Sequence, residues 1–139
     1  MNFNICIVKP KNYPHSDAFW ELAELLIYSL RDLKFDVILS VNEIIADRQN
    51  IVFGAHLLSN NDFPISTIIF NTEQLWNGVE NWVEKIISLG HSFTIWDYNS
   101  NNIDFLKGKN CILHRHKLPL QLLQRLGLSI KMLPHCRLP

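Results

Sequence analysis

The sequence predicts a three-layer α/β domain on a mainly parallel sheet of about five or six strands. Three observations point there. A strand, an amphipathic helix and a second strand follow one another in the first 41 residues. A β-α-β unit of this kind crosses over right-handed and leaves its strands parallel. Three further apolar runs in the middle of the chain, each bounded by turn residues, have the length of buried strands. Between and after them, apolar residues recur at helical spacing.

Residues 3–8 form the first strand, stopped by Lys9-Pro10. After the loop through Tyr13 and His15, Ser16 or Asp17 is placed to cap a helix by accepting bonds from its free amides. Phe19, Leu22, Ala23, Leu26, Leu30 and Leu33 make its apolar stripe, with Glu21, Glu24, Arg31 and Asp32 off it. Residues 35–41 are the second strand, and 42–50 a polar connection with a short helical turn. A third strand runs up to Gly54, and the turn cluster 59–64 delivers a fourth at 67–70. Leu75, Val79, Trp82, Val83 and Ile86 then predict a helix beginning near Gln74, with Gly90 just past its end. Residues 93–96 are the fifth strand, followed by a short helix capped by Asn99 or Ser100 and closed by Gly108. Beyond it, 111–114 and 129–134 read as strands and 119–126 as a helix.

The chain has 139 residues, the length of one domain, and buries most of its apolar surface without staples. With 47% hydrophobic and 19% charged residues the balance is globular and not disordered. The formal net charge is zero, so no basic surplus exists to neutralise the phosphates of a nucleic acid. Cys6, Cys111 and Cys136 have neither zinc spacing nor the even number of a disulfide framework, and Cys6 reads as a small core residue. No metal site is expected. No basic start of a signal peptide precedes the first strand, and no apolar segment approaches the roughly twenty residues of a membrane span. A cytoplasmic chain is the expectation. The turn after the first strand lacks Gly-x-Gly-x-x-Gly, which disfavours NAD or FAD, and no cofactor is expected. The nucleophile elbow, the Walker loop and the paired-histidine zinc motif are missing as well.

What remains is a set of three polar motifs, each directly after an apolar run: Gly54-Ala-His56, Asn71-Thr-Glu73 and Trp96-Asp-Tyr98. If the runs are parallel strands, all three motifs lie at carboxyl ends, the edge where open α/β sheets bind ligands. His56 has the side chain of a general base near neutral pH, or it caps a strand end through a backbone bond. Asn71 and Glu73 suit the hydroxyls of a polar ligand, or Thr72 and Glu73 start the next helix. Trp96 and Tyr98 offer rings on which a sugar stacks, with Asp97 beside them for a hydroxyl. Alternatively Trp96 is core and Asp97 caps the following helix. The basic run 114–117 reads as a solvated loop.

Taken in order, "NIVFGAHLL", "STIIFNTEQL" and "IWDYNSNNIDFLK" resemble segments in the amino-terminal half of a bacterial glycosyltransferase-like family of GT-B arrangement. The similarity runs from about residue 4 to 107, leaving 108–139 as a divergent tail of the single domain 1–139. It implies two Rossmann-like domains across a cleft, the first for an acceptor and the second for a sugar nucleotide. Gly54, His56, Asn71, Glu73, Trp96, Asp97, Tyr98 and Asn102 would face that cleft, with His56 as base and Asp97 or Glu73 orienting it or the acceptor hydroxyl. The family continues with a strand ending in Pro-x-Gly-Tyr and a donor domain. This chain has Leu133-Pro-His-Cys-Arg137 near that position, so a truncated, acceptor-binding domain needing a donor domain is expected. The partner is then a sugar or polar small molecule. Two other readings stand beside it. One is a non-catalytic module that binds a partner chain or itself through an exposed apolar face. The other is a small hydrolase or lyase using His56 and Asp97, for which no nucleophile signature is present.

Overall fold

The computed structural model describes residues 2–59 and 62–113. The elements expected at 119–126 and 129–134, the basic run 114–117 and Cys136 lie outside them. Five strands form one all-parallel sheet in the order β2-β1-β3-β4-β5: β1 (Asn2–Ile7), β2 (Asp36–Val41), β3 (Gln49–Phe53), β4 (Ile68–Asn71) and β5 (Thr94–Asp97). Helix α1 (Phe19–Asp32) covers one face, while α2 (Glu80–Gly90) and α3 (Ser100–Lys107) contribute to the core on the other. The predicted three-layer, Rossmann-like α/β fold is the fold of the chain. Leu113 makes an isolated parallel bridge to Ile95, outside β5, where a further strand was expected.

Alternation along the strands sorts the apolar side chains to the two faces. Phe3, Ile5, Ile7, Val37, Ile51, Phe53 and Phe70 meet Phe19, Ala23, Leu26, Ile27 and Leu30 of α1. Cys6, Val8, Val52, Ile69 and Ile95 meet Ile86 and Leu89 of α2 and Leu106 of α3. The chain leaves β1 toward β2, returns past it to β3, and moves outward to β5. The order therefore reverses between β1 and β3, the switch point whose carboxyl ends form the ligand crevice of such sheets.

The return from β2 to β3 carries no helix, and the short helical turn expected at 42–50 is reduced to a single bond from Arg48 N to Ile45 O (3.2 Å). The connection is held instead by side chains from the sheet. Asn4 and Asn50 are register neighbours on β1 and β3, both fully buried. Asn4 Nδ2 donates to Glu43 O (3.0 Å) and Asn50 Oδ1 (2.9 Å). Asn50 also accepts from Ile45 N (3.0 Å) and donates to Ile45 O (2.8 Å) and Arg48 O (3.0 Å). Backbone groups that a helix would satisfy internally are thus satisfied by two asparagines.

Other local expectations are corrected. The cap position of α1 is Ala18 and makes no side-chain bond. Ser16 is buried in a 3-10 turn (Pro14–Ala18), and Asp17 pairs with Lys9 at 2.5 Å. Helix α2 starts at Glu80 and not near Gln74, after a loop that carries the buried Leu75. Gly90 is the last residue of α2 and has no left-handed backbone. It is small because a Cβ there would lie 2.7 Å from Cys111 Sγ and from Ile95 Cδ1. At α3 the expected cap is present: Asn99 Oδ1 accepts from Asn101 N (2.9 Å). No helix among the described residues is long and apolar enough to cross a membrane.

Candidate functional site

Parallel strands bring all three polar motifs to one edge. Because β3, β4 and β5 are adjacent and in register, Phe53, Phe70 and Trp96 lie side by side. The residues after them share the carboxyl edge. The motifs do not, however, play one role there.

Asn71 and Asp97 are register neighbours on β4 and β5, and with Asn102 of α3 they make a clasp. Asp97 Oδ2 accepts from Asn71 Nδ2 (2.6 Å) and Asn102 Nδ2 (2.8 Å), and Oδ1 accepts from Asn99 N (2.7 Å). Both amides also donate to Glu73 O, at 3.0 and 2.7 Å. Asn71 Oδ1 accepts from Glu73 N (3.2 Å) and Asn102 Oδ1 from Leu75 N (2.9 Å). The clasp thereby fixes the loop between β4 and α2. Asn71 and Asn102 are each only 2% exposed, so the two amides expected to grip a ligand grip the protein. Asp97 is occupied in the same way, and it does not cap α3. Burial pushes its carboxyl up to about 6 against the opposing effect of its hydrogen bonds to Asn71, Asn99, Asn102 and Tyr98.

Two more expected ligand contacts are placed elsewhere. Gly54 has a left-handed backbone (φ 73°), and a Cβ there would sit 2.8 Å from the Phe19 ring. It lets β3 turn beneath α1 and is buried. Trp96 packs against the core on the α1 face. Tyr98, by contrast, is 37% exposed.

His56 and Glu73 form a second group. The His56 side chain, on the short 3-10 turn Ala55–Leu57, is 5% exposed, and its Nε2 lies 3.7 Å from Glu73 Oε1. That distance is too long for a hydrogen bond, and Nε2 is buried with no partner among the described residues. Burial lowers the imidazole to about 4, so it is neutral at pH 7 and the contact is not an ion pair. The Trp82 ring covers it at 4.9 Å between centroids, and Tyr13 stands against Trp82 at 6.1 Å. His56 is therefore packed under Trp82 at the sheet edge and not open to solvent. Glu73 is the more open partner, with 27% of its side chain exposed, and burial raises its carboxyl. Its charge in turn raises the phenols of Tyr13 and Tyr98, which are moved mainly by burial.

Tyr13 and Trp82 were not among the candidates drawn from the sequence. Trp82 was absorbed into a helical stripe, and Tyr13 into a proline-rich turn. The available signal was topological, since the turn after β1 abuts the end of β3 wherever the order reverses between them. No group of three His, Cys, Asp or Glu among the described residues is placed to hold a metal ion. No protein-family model matches the chain, and no curated protein or solved structure is detectably similar to it.

Proposed function

We propose that this domain binds a hydroxylated small molecule at the carboxyl edge of its sheet, as the acceptor-side half of a glycosyltransferase-like enzyme. The observation that carries the reading is His56 Nε2, a buried nitrogen without a hydrogen-bond partner among the described residues, 3.7 Å from a half-buried carboxylate. A buried polar atom left unpaired is costly unless a ligand completes it. A neutral imidazole is also the form that takes a proton.

In this reading the acceptor hydroxyl enters from the Glu73 side, the more exposed of the pair, and donates to His56. As the acceptor oxygen bonds to the anomeric carbon of a sugar nucleotide, the bond from that carbon to the leaving phosphate breaks. The hydroxyl proton passes to His56, and the Glu73 carboxylate stabilises the imidazolium that forms. The sugar nucleotide is held by a second domain, as the resemblance of the three segments implies. Asp97 has a supporting part, fixing the loop that carries Glu73.

The test is NMR titration of the chain with neutral monosaccharides, following the His56 ring and the backbone amides of 54–57, 72–75 and 97–99. Millimolar sugar should shift them, and His56→Gln should weaken binding at least about tenfold while preserving the fold. A folded chain whose edge resonances no sugar or polyol perturbs would overturn the proposal.

A further inference from the structure

The geometry points to an amine-bearing sugar, with its ammonium seated against Glu73, as the ligand of this edge. This rests on the reading above that the edge binds a hydroxylated small molecule, and it specifies the chemical class.

Glu73 lies beside a buried histidine and has no basic side chain paired with it among the described residues. Among those residues its only ion-pair geometry is with His56, which burial holds neutral. Lys9, on the turn after β1, is engaged with Asp17. Among the described residues, aromatic and acidic side chains stand near Glu73 beside the amides of Asn71 and Asn102. Tyr13 and Tyr98 lie close enough to feel the Glu73 charge, Tyr98 feels Asp97 as well, and Trp82 bridges Tyr13 and His56. Ring faces carry negative potential and attract cations. A neutral ligand group would leave the carboxylate desolvated and uncompensated, and an anionic one would be repelled. An ammonium removes that cost, and its remaining N–H groups suit the phenol oxygens nearby. His56 Nε2 is the independent sign of a ligand here, because it is buried, unpaired among the described residues and 3.7 Å from the same carboxylate.

The experiment compares glucosamine, N-acetylglucosamine and glucose at pH 7 by NMR titration of the wild-type chain and of Glu73→Gln. Glucosamine should bind at least about tenfold more tightly than either neutral sugar, and Glu73→Gln should bring it down to their level. Equal or tighter binding of glucose or N-acetylglucosamine overturns the inference while leaving the edge a sugar site. So does a glucosamine preference that survives in Glu73→Gln. If none of the three perturbs the edge of the folded chain, the reading beneath it falls and the amine falls with it.

Discussion

The connections after β2 and after β4 face one problem, and the molecule solves it twice with a different final atom. Each leaves a strand without entering a helix at once, so its backbone polar groups need partners. Each finds them in a register-paired couple of polar side chains, Asn4 with Asn50 in the first and Asn71 with Asp97 in the second. The first couple is entirely neutral, sits fully buried and has no titrating member. The second substitutes a carboxylate for one amide, and a third residue, Asn102, is recruited to satisfy it. Neutral amides make a fixed bracket. A buried carboxylate makes the same bracket answer to pH, and it is the one next to the candidate site.

The sharpest break in the comparison is Asn50→Ala. It strips Ile45 N, Ile45 O and Arg48 O of their side-chain partner at once. A loss of about 3 kcal/mol or more is expected in urea denaturation, the same at pH 5 and pH 8.

The pH profile sharpens the contrast next. Unfolded Asp97 ionises near its ordinary 3.8 and folded Asp97 near 6, so in that window the folded chain holds the extra proton. Stability from this group therefore falls as pH rises between about 4 and 6. His56 acts in the opposite sense: it is protonated up to 6.5 when unfolded but only below about 4 when folded, so its part rises with pH. Each contributes roughly 3 kcal/mol across its window. Glu73, raised by burial, adds to the Asp97 side. The wild-type chain should thus show a shallow profile from pH 4 to 6. Asp97→Asn should turn it upward with pH and His56→Gln downward. Parallel profiles for all three proteins would refute the opposed titrations.

Asn102→Ala opens the clasp from α3 and leaves Leu75 N without its acceptor. About 2 kcal/mol is expected, with faster amide exchange confined to residues 73–75. The smallest effect belongs to Arg48→Ala. It removes the pair to Asp36 (2.7 Å), whose carboxylate is exposed, and the bond from Arg48 Nη1 to Phe3 O (3.2 Å), for about 1 kcal/mol in the same denaturation assay.

The strands were legible because each is an apolar run with turn residues on both sides, and parallel pairing followed from the β-α-β opening. The start of α2 was not. Leu75 and Val79 match a helical stripe by spacing, but Leu75 N is taken by Asn102, which is 27 positions away. Periodicity registers neighbours in the chain and is blind to such a partner. The common edge of His56, Glu73 and Asp97 was legible from the three motifs. Their division was not, because the sequence does not tell which polar groups at an edge are already satisfied. Asn4 does carry a sign in the sequence, as an amide inside an otherwise apolar run, whereas Asn50 follows three polar residues and blends into the connection.

The strand order also bears on the birth of the chain. Of the five strands, β1 is synthesised first, yet it ends between β2 and β3. Its last neighbour to arrive is represented by Asn50, which bonds Asn4 across 46 positions. Until β3 emerges from the ribosome, Ile5, Cys6 and Ile7 have one open hydrogen-bonding flank, and closing it requires a long loop. A strand flanked on both sides in the finished domain is thus open to wrong partners on one side for much of its making.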